Sequence, residues 1–78
     1  MPIDSKLLGE TIRDARLKRG LTQEYLAVLS GLSRTYLGEV ERGEGSVSLT
    51  SFVAIADGLG ISPSEVLQEH DRRAATAT

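Results

Sequence analysis

Apolar residues recur along this chain at helical spacing, and short polar or glycine-bearing breaks divide them into five stretches. Leu8, Ile12 and Ala15 stand at i, i+4 and i+7 and predict a helix over about residues 5–19. Asp4 or Ser5 is placed to cap its start and Gly20 to stop it. A second, short helix is predicted over about 23–30 behind Thr22, and a third over about 34–42 behind Ser33, with Gly43 as its stop. The run GEGSVS, residues 43–48, reads as a polar loop. Phe52, Ile55, Ala56 and Leu59 mark the buried stripe of a fourth helix over about 49–58, capped by Ser48 and ended by Gly58 and Gly60. Ser62-Pro63-Ser64-Glu65 is a capping box with proline in the first turn, opening a fifth helix that carries Val66 and Leu67. That helix is expected to fray near residue 70, leaving residues 71–78 as a disordered tail after a domain of residues 1–70. No segment has strand periodicity and there is no internal repeat, so the expected fold is all-α, a five-helix bundle.

Helices 2 and 3 form a recognisable unit. Gln23, Ala27 and Gly31 are spaced four apart, and Leu37 and Val40 follow Gly31 by six and nine residues. Ala27 leaves room for two helices to cross, Gly31 suits a turn with φ > 0, and Leu26, Leu32, Leu37 and Val40 supply the apolar seam. This spacing specifies a helix-turn-helix, whose second helix is shaped to enter a DNA major groove.

Composition narrows the picture. Seventy-eight residues make one domain, and a chain of this size buries only about 60% of its unfolded surface, so a dimer contact would add stability. There is no cysteine, which excludes disulfides and thiolate metal sites. The one histidine, His70, is expected on the solvated surface near a helix end. No apolar run approaches a membrane span and the N-terminus lacks the core of a signal peptide, so a soluble cytoplasmic protein is expected. Net charge is −2, but residues 1–43 carry +1 and residues 44–78 carry −3. Basic residues thus collect in the half that holds the helix-turn-helix, a balance suited to specific binding with modest non-specific affinity for polyanions.

If helix 3 presents its N-terminal end, Arg34 can donate twice to guanine, and Thr35 can offer its methyl to thymine or its hydroxyl to a base or phosphate. Glu39 can accept from cytosine N4 or orient Arg34; it can also stand in solvent. Gly38 either lets the helix approach the groove floor or is merely tolerated. Gln23, with the free N–H groups at the start of helix 2, is a phosphate candidate. Tyr36 and Arg42 are further phosphate candidates. Tyr36 could instead pack its ring, and Arg42 could instead complement the helix dipole.

Three segments, GETIRDARLKRGLTQEYLA, GLSRTYLGEVERG and SLTSFVAIADGLGISPSEVL, resemble the Xre/Cro (lambda-repressor-like) helix-turn-helix family of phage and bacterial repressors over about residues 7–68. Within it, SRTYLGEVERG looks most like the controller proteins of restriction–modification systems, which are short, lack a sensor domain and act as dimers. The resemblance implies that Arg34 and Thr35 read bases, that Gln23 binds phosphate, and that Arg16 and Glu41 form a buried salt bridge. It departs after ERG. Where many relatives carry Lys/Arg and Asn, this chain has Glu44, Gly45 and Ser46. Backbone N–H groups of Gly45 and Ser46, or the Ser46 and Ser48 hydroxyls, would then serve phosphate, and Glu44 should weaken affinity.

The expected function is a sequence-specific regulator of transcription. It would bind double-stranded DNA as a homodimer on a palindrome with half-sites about 34 Å apart, and could regulate its own promoter. Val66 and Leu67 are the expected dimer contacts and Ile61 a core residue. Activation or repression would depend on placement relative to RNA polymerase. The rival is a protein-interaction module such as an antitoxin-like subunit, which the acidic C-terminal half suits. No cofactor is implied, and no nucleophile–base set suggests an enzyme.

Overall fold

Each apolar stretch opens on a short oxygen-bearing side chain that turns back onto the helix it precedes. In the computed structural model, which describes residues 2–77, the helices are α1 (Ser5–Lys18), α2 (Gln23–Ser30), α3 (Arg34–Glu41), α4 (Leu49–Leu59) and α5 (Pro63–Thr76). Asp4 accepts from the N–H groups of Lys6 and Leu7, Thr22 from Tyr25, Ser33 from Tyr36, Ser48 from Ser51 and Ser62 from Glu65. Five helices thus begin with an otherwise orphaned donor satisfied. Glu65 also reaches back to the Ser62 N–H and completes the capping box.

The buried stripes converge on one core: Leu8 and Ile12 from α1, Leu26 and Ala27 from α2, Leu37 and Val40 from α3, Phe52, Ile55, Ala56 and Leu59 from α4, and Val66 from α5. Helix α4 packs on α2, and α1 packs on both α3 and α5. The α1–α3 crossing is backbone-close. A Cβ on Gly9 would stand 2.4 Å from the Val40 carbonyl oxygen and 2.6 Å from that of Glu41. Only a residue without a side chain fits there. At the α2–α4 crossing, Gly58 lies against Leu26, Leu29 and the Ser30 hydroxyl. Among the described residues that buried hydroxyl has no hydrogen-bond partner.

Helix α5 corrects three expectations. The helix continues to Thr76 rather than fraying near residue 70; only Thr78 of the anticipated tail lies outside the described residues. The segment has no apolar stripe because ion pairs hold it instead. Arg73 reaches Asp14 of α1 at 2.8 Å and Glu69 at 2.9 Å, and Arg72 also pairs with Glu69. The two guanidiniums hold the Glu69 carboxyl at a pKa of about 2, below its ordinary 4.5. His70 is fully buried, not solvated. Its Nε2 accepts the Asp4 N–H at 2.9 Å and its Nδ1 lies 2.9 Å from an Asp71 carboxylate oxygen. A polar ring with both nitrogens engaged can replace an apolar residue at such a site. Val66, expected at a dimer contact, is instead 2% exposed and completes the monomer core. Leu67 remains half-buried, as does Ile61.

Candidate nucleic-acid interface

Helices α2 and α3 are joined through Gly31, whose backbone is left-handed at φ 68°. The turn is closed by the Gly31 N–H on the Val28 carbonyl at 3.2 Å and the Leu32 N–H on the Ala27 carbonyl at 2.9 Å. A side chain at Gly31 would be strained by the backbone alone. Leu37, Val40 and Glu41 turn inward from α3, while Arg34 and Thr35 are exposed at its N-terminal end.

What holds α3 at this angle is a buried polar cluster. Arg16 of α1 grips Glu41 with two parallel bonds, Nε to Oε2 at 2.7 Å and Nη2 to Oε1 at 3.0 Å. Its Nη1 donates to the Leu21 carbonyl at 2.8 Å. Gln23 adds a third helix to the cluster, its Nε2 donating to Glu41 Oε1 at 3.0 Å. A forked guanidinium–carboxylate pair fixes orientation as well as distance. Three helices are therefore indexed to one carboxylate at the back of the motif.

The amide of Gln23, read from sequence as a phosphate donor, is thus turned inward, and the Gln23 residue is half-buried. At the start of α2 Thr22 takes the Tyr25 and Leu26 N–H groups, and those of Gln23 and Glu24 have no partner among the described residues. The Tyr36 ring is half-buried and its hydroxyl accepts the Ser48 N–H at 3.4 Å, which leaves its own proton to give. Ser46 is exposed in the loop after α3.

Carboxylates shadow both arginines of the α3 face. Glu24 of α2 lies 3.6 Å from Arg34, with both side chains well exposed. Glu39 does not take this role. Arg42 is bound more tightly, its Nε donating to Glu44 Oε2 at 2.9 Å and its Nη2 to Oε1 at 3.4 Å. This pairing raises the Arg42 pKa and lowers that of Glu44, and half-buried Glu39 adds a smaller pull on Arg42. Sequence reasoning missed Gly9, the Gln23–Glu41 bond and the Glu24–Arg34 contact. None has a local pattern, because each depends on which helices meet.

Residues 12–66 match the profile of the helix-turn-helix family. The chain belongs to that family, as the sequence resemblance implies. It is 42% identical over 62 residues to the control protein C.SmaI of Serratia marcescens, covering 80% of this chain and 74% of that one. Over 62 residues it is 40% identical to the control protein C.BamHI of Bacillus amyloliquefaciens, covering 78% of this chain and 76% of that one. Among solved structures, the restriction–modification controller protein C.AhdI of Aeromonas hydrophila superposes with a TM-score of 0.79 at 46% identity, over 81% of this chain and 96% of that one. The five-helix lambda-repressor-like architecture is shared with these neighbours.

Proposed function

We propose that this chain is a sequence-specific, double-stranded DNA-binding regulator of transcription that works in the cytoplasm as a homodimer on a palindromic site. It binds and positions; it does not catalyse. The observation that carries this reading is the exposed N-terminal end of α3, with Arg34 and Thr35 outward and the helix fixed from behind by Arg16, Glu41 and Gln23. A rigid helix with a bidentate donor at its tip is what reading guanine in the major groove requires. The kinship with control proteins supports a role at promoters. Where the site lies relative to RNA polymerase then decides activation or repression.

Phosphate contacts in this reading come from the N-terminal N–H groups of α2, the Tyr36 hydroxyl and Ser46. With Val66 in the core, the dimer surface moves to the apolar face that Leu67 shares with α4. Leu49 is 76% exposed and Val53 and Ile3 are also exposed. Ile3 and Leu49 line a groove of about 410 Å³ together with Leu8, Phe52 and Leu67. A second copy placed against the Ile3, Leu49 and Leu67 side of the groove, clear of its Ser46 side, pairs two α3 helices for a two-fold site.

The test is selection of bound sites from random duplexes. A two-fold symmetric site is expected, and Arg34→Ala should flatten the preference at one base per half. Failure to enrich any duplex, or enrichment of sites without symmetry, overturns the proposal. Leu49→Glu should yield a folded monomer by sedimentation and bind half-sites only.

A further inference from the structure

Gly43, which follows α3, has no room for a side chain because α1 stands against it. A Cβ there would lie 2.7 Å from the Lys6 Cα, 2.9 Å from its Cγ and 3.0 Å from its backbone N. The first turn of α1 is thereby seated at the end of the proposed reading helix, where the loop that carries Ser46 begins. The stem of Lys6 starts out against Gly43, and the residue is exposed.

Folding does not ask for a cation at this position. The amino end of a helix is its positive end, so a lysine in the first turn opposes the dipole. The Asp4 carboxylate is turned onto the Lys6 and Leu7 N–H groups as a cap. No carboxylate lies within ion-pair distance of the Lys6 ammonium among the described residues. The other cations at this end of α3 are engaged: Arg16 holds Glu41, and Arg42 holds Glu44. Glu39 remains, half-buried and near enough to pull on Arg42. Without Lys6, that end of the helix would carry a net negative charge.

The same end must meet the duplex. Eight residues of helix are about 12 Å long, whereas the major groove is about 8.5 Å deep. With Arg34 and Thr35 leading towards the base edges, the Gly43 end stands at the level of the phosphates. A net negative surface there is repelled by the backbone. A lysine on a flexible stem serves a phosphate well, as a point charge that needs no fixed orientation.

We propose that Lys6, docked on Gly43, contacts a backbone phosphate in each half-site, so that α1 joins the DNA-binding surface alongside the helix-turn-helix. The inference rests on the DNA-binding function proposed above. It supplies the cation that the loop after α3, with Glu44 in it, does not offer.

The experiment measures binding of the full chain to its selected duplex and to a random-sequence duplex over a range of salt. The proteins are wild type, Lys6→Gln, Lys6→Arg and Lys18→Gln. Lys18 is an exposed lysine of the same helix that lies on the α5 side, in a groove it shares with Asp14, Glu65 and Arg73. Each phosphate neutralised contributes about 0.9 to the slope of log affinity against log salt. Lys6→Gln should therefore flatten the slope by about 1.8 for a dimer, and its deficit should shrink about 12-fold between about 50 and 200 mM salt. It should weaken both duplexes and leave the base preferences of the selected site unchanged. Lys6→Arg should restore the slope, and Lys18→Gln should keep it. The proposal is overturned if Lys6→Gln keeps the wild-type slope, if Lys18→Gln flattens it equally, or if the loss falls on one base position only. If the wild type binds no duplex at all, the DNA-binding reading falls first, and this inference falls with it.

Discussion

Removing Arg16 separates the scaffold of the recognition helix from its chemistry. The Arg16 and Glu41 side chains are 9% and 2% exposed, so the pair is out of water. Arg16→Ala leaves Glu41 with the Gln23 amide on Oε1 and nothing on Oε2, and also strips the donor from the Leu21 carbonyl. Breaking a buried pair on one side costs about 3–5 kcal/mol, because the remaining charge is uncompensated. A 78-residue domain has about 4–12 kcal/mol of total stability. The substitution therefore removes a large share of it. At about 4–8 °C per kcal/mol for a domain of this size, Tm should fall by at least about 12 °C. Thermal unfolding followed by circular dichroism at fixed protein concentration checks this. The double variant Arg16→Met with Glu41→Leu removes both charges and should be less destabilised than Arg16→Ala alone. Below its Tm, Arg16→Ala should still select the wild-type base sequence. A Tm within about 4 °C of wild type, or a double variant worse than the single, would refute the reasoning.

Three further outcomes follow from packing and charge. Ser30→Ala should raise stability by about 1 kcal/mol, since it removes a buried hydroxyl without a partner; chemical denaturation reads this, and a lower midpoint counts against it. Gly9→Ala should destabilise by about 3 kcal/mol, because the new methyl collides with two backbone carbonyls that cannot rotate away. The helix-propensity gain of about 1 kcal/mol is too small to offset that, so a more stable Gly9→Ala protein contradicts the close crossing. The Glu69 carboxyl is depressed in the folded state to about 2 from an ordinary 4.5. Its stabilising contribution is therefore present above about pH 4.5 and is lost as pH falls towards 2. Glu69→Gln should flatten the acid limb of a Tm–pH profile in that window, and an unchanged limb excludes the assignment.

The parts of the fold legible in the sequence are those encoded within one or two turns. Thr22, Ser33, Ser48 and the Ser62–Glu65 box announce helix starts because capping is a contact over three residues. Gly31 announces the turn because positive φ is a property of a single residue. The Arg16–Glu41 pair spans 25 positions and came only through family resemblance. His70 and the last turns of α5 were misread for a related reason. Their partners, Asp4 at the cap of α1 and Asp14 on that helix, sit more than fifty residues away. Val66 could not be assigned to core or interface by periodicity, since both demand the same apolar residue. At the candidate interface, residue type suggested which side chains face outward. Which carboxylate shadows which arginine depended on the meeting of helices and on the loop after α3.

The contact at Gly9 bears on how a complex could form. With the α1 backbone against two carbonyls of α3, and one carboxylate tying α1, α2 and α3 together, the reading head cannot swivel on its mount. Accommodation to a target must then come from elsewhere, from the hinge between two copies or from the duplex. Sequences whose base steps yield cheaply between the half-sites should be favoured even where no side chain touches them. An inflexible reader thus makes the compliance of its target part of what is read.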